Sequence, residues 1–433
     1  MNLSVYRTAL NIRASNITKV WYIISSFILN AFIPIALLPF LILTTECHAN
    51  PETLRGNEST ITAKGINITV NKHATYLTII FSGKVNADFY AIERPNRLII
   101  DLPDVEFHDK MNNLNKNGGV ISSYRYGLFA SGRSRIVIDL KQPVSAQALH
   151  GITEGDKNHY FSLELKAAST EQYKALVRKT TPSMDNLQNA TGFETAVEIP
   201  ENSKLPVIVI DPGHGGIDPG AITQSGIQEK DIVFAFAQTV AEYLNKQKRF
   251  HIVMTRKSDI FIPLGERVRI AQKAQADLFI SIHADSISAA PQISGFTVYT
   301  MSDKASDRES ALLAAKENQA DSVAGVESQE LKEQVVDILQ ELTIRETRLL
   351  SKRFARFVID SFGNVMRLNK NPYRQASFHV LKAYDVPSIL IELGYLSSAQ
   401  DINLLTSDEW RNNAAEAIVK SINDFFPDQL SQN

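Results

Sequence analysis

Four side chains carry the chemistry this sequence offers. His214 stands in a Gly/Pro-rich turn within VIVIDPGHGGIDPG, Val207–Gly220. Glu229 opens an amphipathic segment further on, His283 follows the apolar run Asp277–Ile282, and Glu392 follows Ser388–Ile391. Two histidines and two glutamates, each at an end of a regular element, are the donor types of a zinc hydrolase site. Such a site needs three protein ligands, an open position for water and a nearby base. Each residue alone has a plainer reading. Glu229 is an acid in a first helical turn, where the helix dipole favours it. Glu392 lies among apolar neighbours in SILIELGYL, where an unpaired carboxylate is costly. A structural ion pair with Arg256 or Arg267 would also satisfy it. Their joint occurrence at element ends favours the metal site.

The elements that must position these residues follow from the pattern after Leu205. Strand Val207–Ile210 leads to a helix near 229–246, strand His251–Thr255 to a helix near 264–275, and strand Leu278–His283 to strand Phe296–Met301. Charged helical stretches at 306–322 and 329–342 precede a longer helix, 346–361. Strands 378–382 and 388–393 and closing helices near 399–405 and 408–424 complete the run. This alternation predicts an α/β domain over 205–427, a mostly parallel or mixed sheet flanked by helices. Residues 58–166 read instead as a smaller all-β N-terminal domain, a sandwich of short strands separated by Gly, Pro, Asn and Asp. Within it RLIIDL (97–102) and RIVIDL (135–140) echo each other. Residues 167–204 are polar and lack a sustained period, which predicts a flexible linker.

The chain has 433 residues and a formal net charge of −2, so no strong electrostatic pull towards nucleic acid is implied. Its first 49 residues differ from the rest. Arg7, Arg13 and Lys19 precede the apolar run Trp21–Leu43, and Cys47-His48-Ala49 supplies a small-x-small end. That order reads as a secretory signal peptide, 1–49. The alternative is an uncleaved anchor, because the run is long enough to span a bilayer. Cys47 is the one cysteine, so cleavage after Ala49 leaves no disulfide framework and no thiolate ligand. An exported, cysteine-free, mildly acidic protein suits a bacterial periplasm or an outer surface.

DPGHGG with the following DPGA, Glu229 in its EKD segment, the TR…D…L..R pattern of Thr255–Arg267, SIHAD at 281–285 and PSILIELGYLS at 387–397 occur in one order. Together they resemble the zinc-dependent N-acetylmuramoyl-L-alanine amidases of the amidase 3 family over 205–427. The β unit, with RLIIDLP and RIVIDL, resembles the AMIN domain that precedes such enzymes in Gram-negative bacteria. The resemblance implies zinc (Zn2+) held by His214, Glu229 and His283, with Glu392 as catalytic base. It implies cleavage of the bond from N-acetylmuramic acid to L-alanine of the stem peptide in peptidoglycan, and AMIN-directed targeting to the division site. Asp285 reads as a residue supporting His283 or as structural.

An insertion, 302–345, lies between strand 296–301 and helix 346–361 and is rich in charge. Its first helix carries Leu312, Leu313, Lys316, Glu317 and Ala320 on neighbouring turns. Leu331, Val335, Ile338 and Leu342 form an apolar stripe on the second. Similar insertions in division-associated members of the family hold a helix over the zinc with a glutamate as an extra ligand. Glu317 best matches that glutamate, and the stripe is where an activator with a LytM-type domain would bind. The plainer reading is a solvated helical hairpin packed by its apolar face. Two other function classes stay open: a zinc exopeptidase acting on free peptides, and a non-catalytic cell-wall binding protein.

Overall fold

The computed structural model describes residues 61–180 (apart from 109, 110, 112–116, 154 and 156), 205–286, 293–326 and 338–427. The expected signal peptide 1–49, the linker residues 181–204 and most of the second insertion helix, 329–337, lie outside the described residues. Among the described residues no helix is long and apolar enough to cross a membrane.

The N-terminal unit runs β1 (Ile61–Val70), β2 (Thr75–Phe81), β3 (Asp88–Ile92), β4 (Arg97–Pro103), β5 (Val105–Phe107), β6 (Ile121–Ala130), β7 (Arg133–Leu140), β8 (Val144–Ile152) and β9 (His159–Ala167). These strands form two sheets, ordered β5-β1-β2-β9-β8 and β3-β4-β7-β6. They share one core, as a sandwich does. The echoing hexapeptides become adjacent antiparallel strands, with Arg97 opposite Asp139 and Asp101 opposite Arg135. Side chains alternate along a strand, so Leu98, Ile100, Ile136 and Ile138 point into the sandwich core. Arg97, Ile99 and Asp101 then share the other face with Arg135, Val137 and Asp139. The R-x-x-x-D echo thus yields two cross-strand ion pairs, Arg97–Asp139 at 2.7 Å and Arg135–Asp101 at 2.6 Å.

The start of the expected linker is folded. Helix α1 (Thr170–Thr180) packs against the sandwich through buried Tyr173. The Tyr173 hydroxyl lies 2.8 Å from the Arg97 carbonyl oxygen and 2.9 Å from that of Ile92. Its apolar residues, Tyr173, Leu176 and Val177, hold helical spacing but are too few to stand out from polar surroundings.

The second unit has a six-stranded sheet, ordered β11-β10-β12-β15-β13-β14. Its strands are β10 (Val207–Pro212), β11 (His251–Met254), β12 (Leu278–His283), β13 (Phe296–Met301), β14 (Leu368–Ala376) and β15 (Ser388–Glu392). All neighbouring pairs are parallel except β13 and β15. Helices α2 (Glu229–Gln247) and α3 (Leu264–Lys273) follow β10 and β11. The insertion contributes α4 (Arg308–Glu317) and α5 (Ala320–Val323), and α6 (Ile338–Phe362), α7 (Ala399–Leu405) and α8 (Asp408–Phe425) come after. Ile208 and Ile210 face a core shared with Val233, Phe354 and Trp410. Val207 and Val209 face the opposite core, with Val268, Leu313 and Val380. A central parallel strand covered on both faces must be apolar throughout, which is why VIVI does not alternate.

Three element boundaries differ from expectation. Residues 378–382 are not a strand: His379–Leu381 form a 3-10 turn, and the neighbouring strand is β14. The sequence of β14, LNKNPYRQA, is polar and holds Pro372. It is tolerated because β14 is an edge strand, which leaves one row of backbone groups unpaired. The 306–322 stretch is two helices, α4 and α5, broken at Asn318 and Gln319. Helix α6 begins at Ile338 rather than near 346.

Candidate metal centre

Parallel β10, β12 and β15 end at one sheet edge, where open α/β sheets bind their ligands. Register pairs Pro212 with Ile282 and His283 with Glu392. The edge therefore carries the His214 turn, His283 and Glu392 side by side, and the first residue of α2 brings Glu229. All four expected residues come together, and all are buried.

Buried arginines hold the turn open. Arg267 donates to the Pro212 and His214 carbonyls at 2.9 and 2.7 Å and to Asp211 at 2.8 Å. Arg256 donates to the Pro212, Gly213 and Lys230 carbonyls at 2.9–3.1 Å. Burial, then the nearby Arg267 charge, lowers the Arg256 pKa to about 10. Neither arginine pairs with Glu392, so the ion-pair reading of that glutamate does not hold. His214 itself adopts a left-handed φ of 57°. Gly220 has φ +66°, and a Cβ there would lie 2.7 Å from both Glu229 Oε2 and His214 Cδ2. Only glycine lets the turn close over both side chains.

The two imidazoles stand 4.9 Å apart, centroid to centroid. His214 Nδ1 faces Asp218 Oδ2 at 2.9 Å. Its Nε2 lies 3.1 Å from Glu229 Oε1 and 3.5 Å from Glu317 Oε2. His283 Nδ1 lies 3.3 Å from Glu229 Oε1 and 3.2 Å from Glu317 Oε2. Glu229 also accepts the backbone N–H groups of Ala221 and Ala284 at 2.8 and 2.9 Å. Burial opposes charge on His214, yet Glu229, Asp218 and Glu317 outweigh it and raise its pKa well above the usual value. Burial likewise opposes charge on Glu229, and the His214 and His283 imidazoles outweigh it, holding the carboxyl well below its usual range.

Glu392 differs. Its Oε2 accepts the Asp285 backbone N–H at 2.9 Å, while buried Oε1 has no hydrogen-bond partner among the described residues. Burial, reinforced by Asp285 and Glu229, pushes its pKa well above that of an ordinary glutamate. A carboxyl poised upward in this way suits proton transfer near neutral pH. The Asp285 carboxylate meets the Lys316 ammonium rather than His283. Burial and the charges of Glu317 and Glu229 push Asp285 up to about 6.

His214 Nε2, His283 Nδ1 and Glu317 Oε1 are also buried with no hydrogen-bond partner among the described residues. Two orphaned imidazole nitrogens facing the same carboxylate oxygens are costly unless something fills the space between them, and His214, His283 and Glu317 form a set able to hold a metal ion. Glu229 adds a carboxylate oxygen within 3.3 Å of both imidazole nitrogens. This His/Glu donor set suits Zn2+. Asp218 was not singled out from the sequence. A carboxylate four residues past a turn histidine was visible there, but only the fold back of the turn shows that it holds Nδ1.

A family model described as N-acetylmuramoyl-L-alanine amidase matches residues 208–424. An AMIN domain model matches residues 65–182, which takes in α1. N-acetylmuramoyl-L-alanine amidase AmiC of Neisseria meningitidis serogroup B is 31% identical over 366 residues, spanning 80% of this chain and 86% of that protein. The AmiC amidase of Escherichia coli O6:H1 is 30% identical over 373 residues, spanning 82% and 87%. Among solved structures, N-acetylmuramoyl-L-alanine amidase AmiC2 of Nostoc punctiforme is 30% identical, covering 51% of this chain and 97% of that one at a TM-score of 0.36.

Proposed function

The chain belongs to the N-acetylmuramoyl-L-alanine amidase family, and from that premise we propose a zinc-dependent, self-blocked enzyme of septal wall splitting. It is a peptidoglycan amidase, and the bond it cuts joins N-acetylmuramic acid to L-alanine of the stem peptide. The observation that carries the zinc reading is the cluster of buried, unpartnered atoms around His214 and His283. His214, Glu229 and His283 would hold the ion, with Asp218 fixing the His214 ring so that Nε2 faces inward. The chemistry a bound zinc supplies is polarisation of the amide carbonyl and acidification of water.

The residues of the chain do the rest. Glu392 Oε1 takes a proton from the attacking water and passes it to the alanine nitrogen as the C–N bond breaks. The Asp285 N–H fixes the other oxygen of that carboxyl, so Oε1 keeps its aim. Burial excludes bulk water and keeps the carboxyl basic enough to accept the proton.

Self-blocking is supported by the insertion. Glu317 Oε2 lies within 3.5 Å of both imidazole nitrogens, where substrate has to approach, and Lys316 covers Asp285. Helix α4 is held there by an Asp307 N-cap, 2.8 Å from the Ser310 N–H, and by Leu313 and Ala314 in the core. An activator with a LytM-type domain would shift this equilibrium by binding the open insertion better than the closed one. The sandwich would target the enzyme to septal peptidoglycan, and the leader 1–49 would deliver it to the periplasm.

The test is product identity. Purified peptidoglycan is digested with a Glu317→Ala variant and the soluble fragments are weighed by mass spectrometry. Free stem peptides starting at L-alanine, lost with chelator, restored by zinc and absent when Glu392→Gln is added, support the reading. Peptides cut elsewhere, or chelator-resistant release, contradict it.

A further inference from the structure

The ion-paired face of the β3-β4-β7-β6 sheet is occupied by the enzyme's own insertion. Arg97 Nη1 donates to the Ser322 carbonyl and, at 2.8 Å, to Ser322 Oγ. Arg125 Nε donates to the Val323 carbonyl at 2.7 Å, and Arg135 Nη1 to the Ala324 carbonyl at 3.1 Å. These are three consecutive carbonyls at the end of α5, and the Ser322 carbonyl also accepts the Gly325 N–H at 3.0 Å. Three strands thus supply three guanidinium groups to one helix terminus. Asp139 aligns Arg97 and Arg125, and Asp101 aligns Arg135.

Apolar packing surrounds the polar contact. Ile99, Phe129 and Val137 of the sandwich form one cluster with Phe261 of the catalytic unit and Ala324 of the insertion. Gly325 turns away at φ +71°, and a Cβ there would lie 2.4 Å from Ile99 Cδ1. From the other side, Asp321 Oδ1 accepts the Leu264 N–H that begins α3. The segment 321–325 is therefore clamped between the two domains. Glu317 stands one short turn upstream of it, so movement of this segment displaces the residue facing the two histidines.

We propose that the sandwich is a latch in cis: its arginine face grips the end of the insertion and holds the enzyme closed. This rests on the self-blocking reading above and adds its missing half. Opening the site requires the insertion to leave the sandwich as well as the histidines. Whatever separates the two domains favours the active state, because a contact made only in the closed state can only stabilise that state.

The test uses the full chain. Arg97→Ala with Arg125→Ala removes two of the three guanidinium groups that grip the insertion, and Gly325→Val pushes the insertion off Ile99 while leaving the sandwich sequence intact. Amide hydrogen exchange of 308–326 and peptidoglycan hydrolysis are both read, with Glu317→Ala as the reference for an unblocked site. The latch predicts faster exchange in both variants and basal hydrolysis raised at least about tenfold, the effect of weakening the closed state by a single hydrogen bond to a charged donor. Unchanged exchange, or faster exchange without a rise in hydrolysis, overturns the latch if Glu317→Ala is active. A silent Glu317→Ala removes the blocking reading itself, and the latch with it.

Discussion

At the residue scale the site is a set of atoms, each aimed by a neighbour. His214 Nε2 faces inward because Asp218 holds Nδ1, and removing such a partner costs a metal site about 10- to 100-fold in affinity. Asp218→Asn is expected to bind zinc more weakly by that factor, read by competition with a chromophoric chelator; unchanged affinity would show that Asp218 does not orient the ring. Asp211 and Arg267 form a fully buried pair at 2.8 Å that also carries two turn carbonyls. Breaking a buried pair from one side leaves an uncompensated charge and costs about 3–5 kcal/mol. Arg267→Ala should lower the melting temperature accordingly, and an unchanged melting curve would remove Arg267 as the support of the turn. The positions of His214, Glu229, His283 and Glu392 were legible from their residue types at element ends. Their aim was not. Asp218 as orienter, and Lys316 rather than His283 as the partner of Asp285, depend on how the turn and the insertion fold back, which spacing along the chain does not encode.

At the element scale, continuous apolar runs are legible in the sequence and polar or sparsely apolar elements are not. VIVI, LFISI and SILI are continuous apolar runs that only a doubly covered parallel sheet satisfies, so β10, β12 and β15 were visible. Edge strand β14 was hidden by its polar sequence, while the buried 3-10 turn at 379–381 imitates a strand through Phe378 and Val380. The RLIID and RIVID echo signalled related strands, and antiparallel pairing explains it: the same motif on two partners pairs each arginine with the other's aspartate. The sequence of helix α1 resembles linker because its one large anchor is Tyr173. Deleting a buried aromatic costs about 3–5 kcal/mol, so Tyr173→Ala should destabilise the sandwich by that order in a denaturant titration. A shift within error would mean that α1 is not part of that cooperative unit.

At the scale of the whole molecule the described residues form a sandwich, a catalytic sheet with its helices, and an insertion that touches both. The insertion reaches His214 and His283 through Glu317, Asp285 beside Glu392 through Lys316, and the sandwich through Ser322 to Ala324. Its length and charge marked it in the sequence as more than a connection. Its contact with the sandwich was not legible, because surfaces that meet between domains carry no period of their own. The central claim is that this chain is an amidase closed by its own insertion. It is tested most directly by the rate of soluble product release from purified peptidoglycan by the wild-type full chain and by Glu317→Ala, at equal bound zinc. The account predicts a nearly silent wild type and a clearly active variant. Equal rates, at any level, would contradict it.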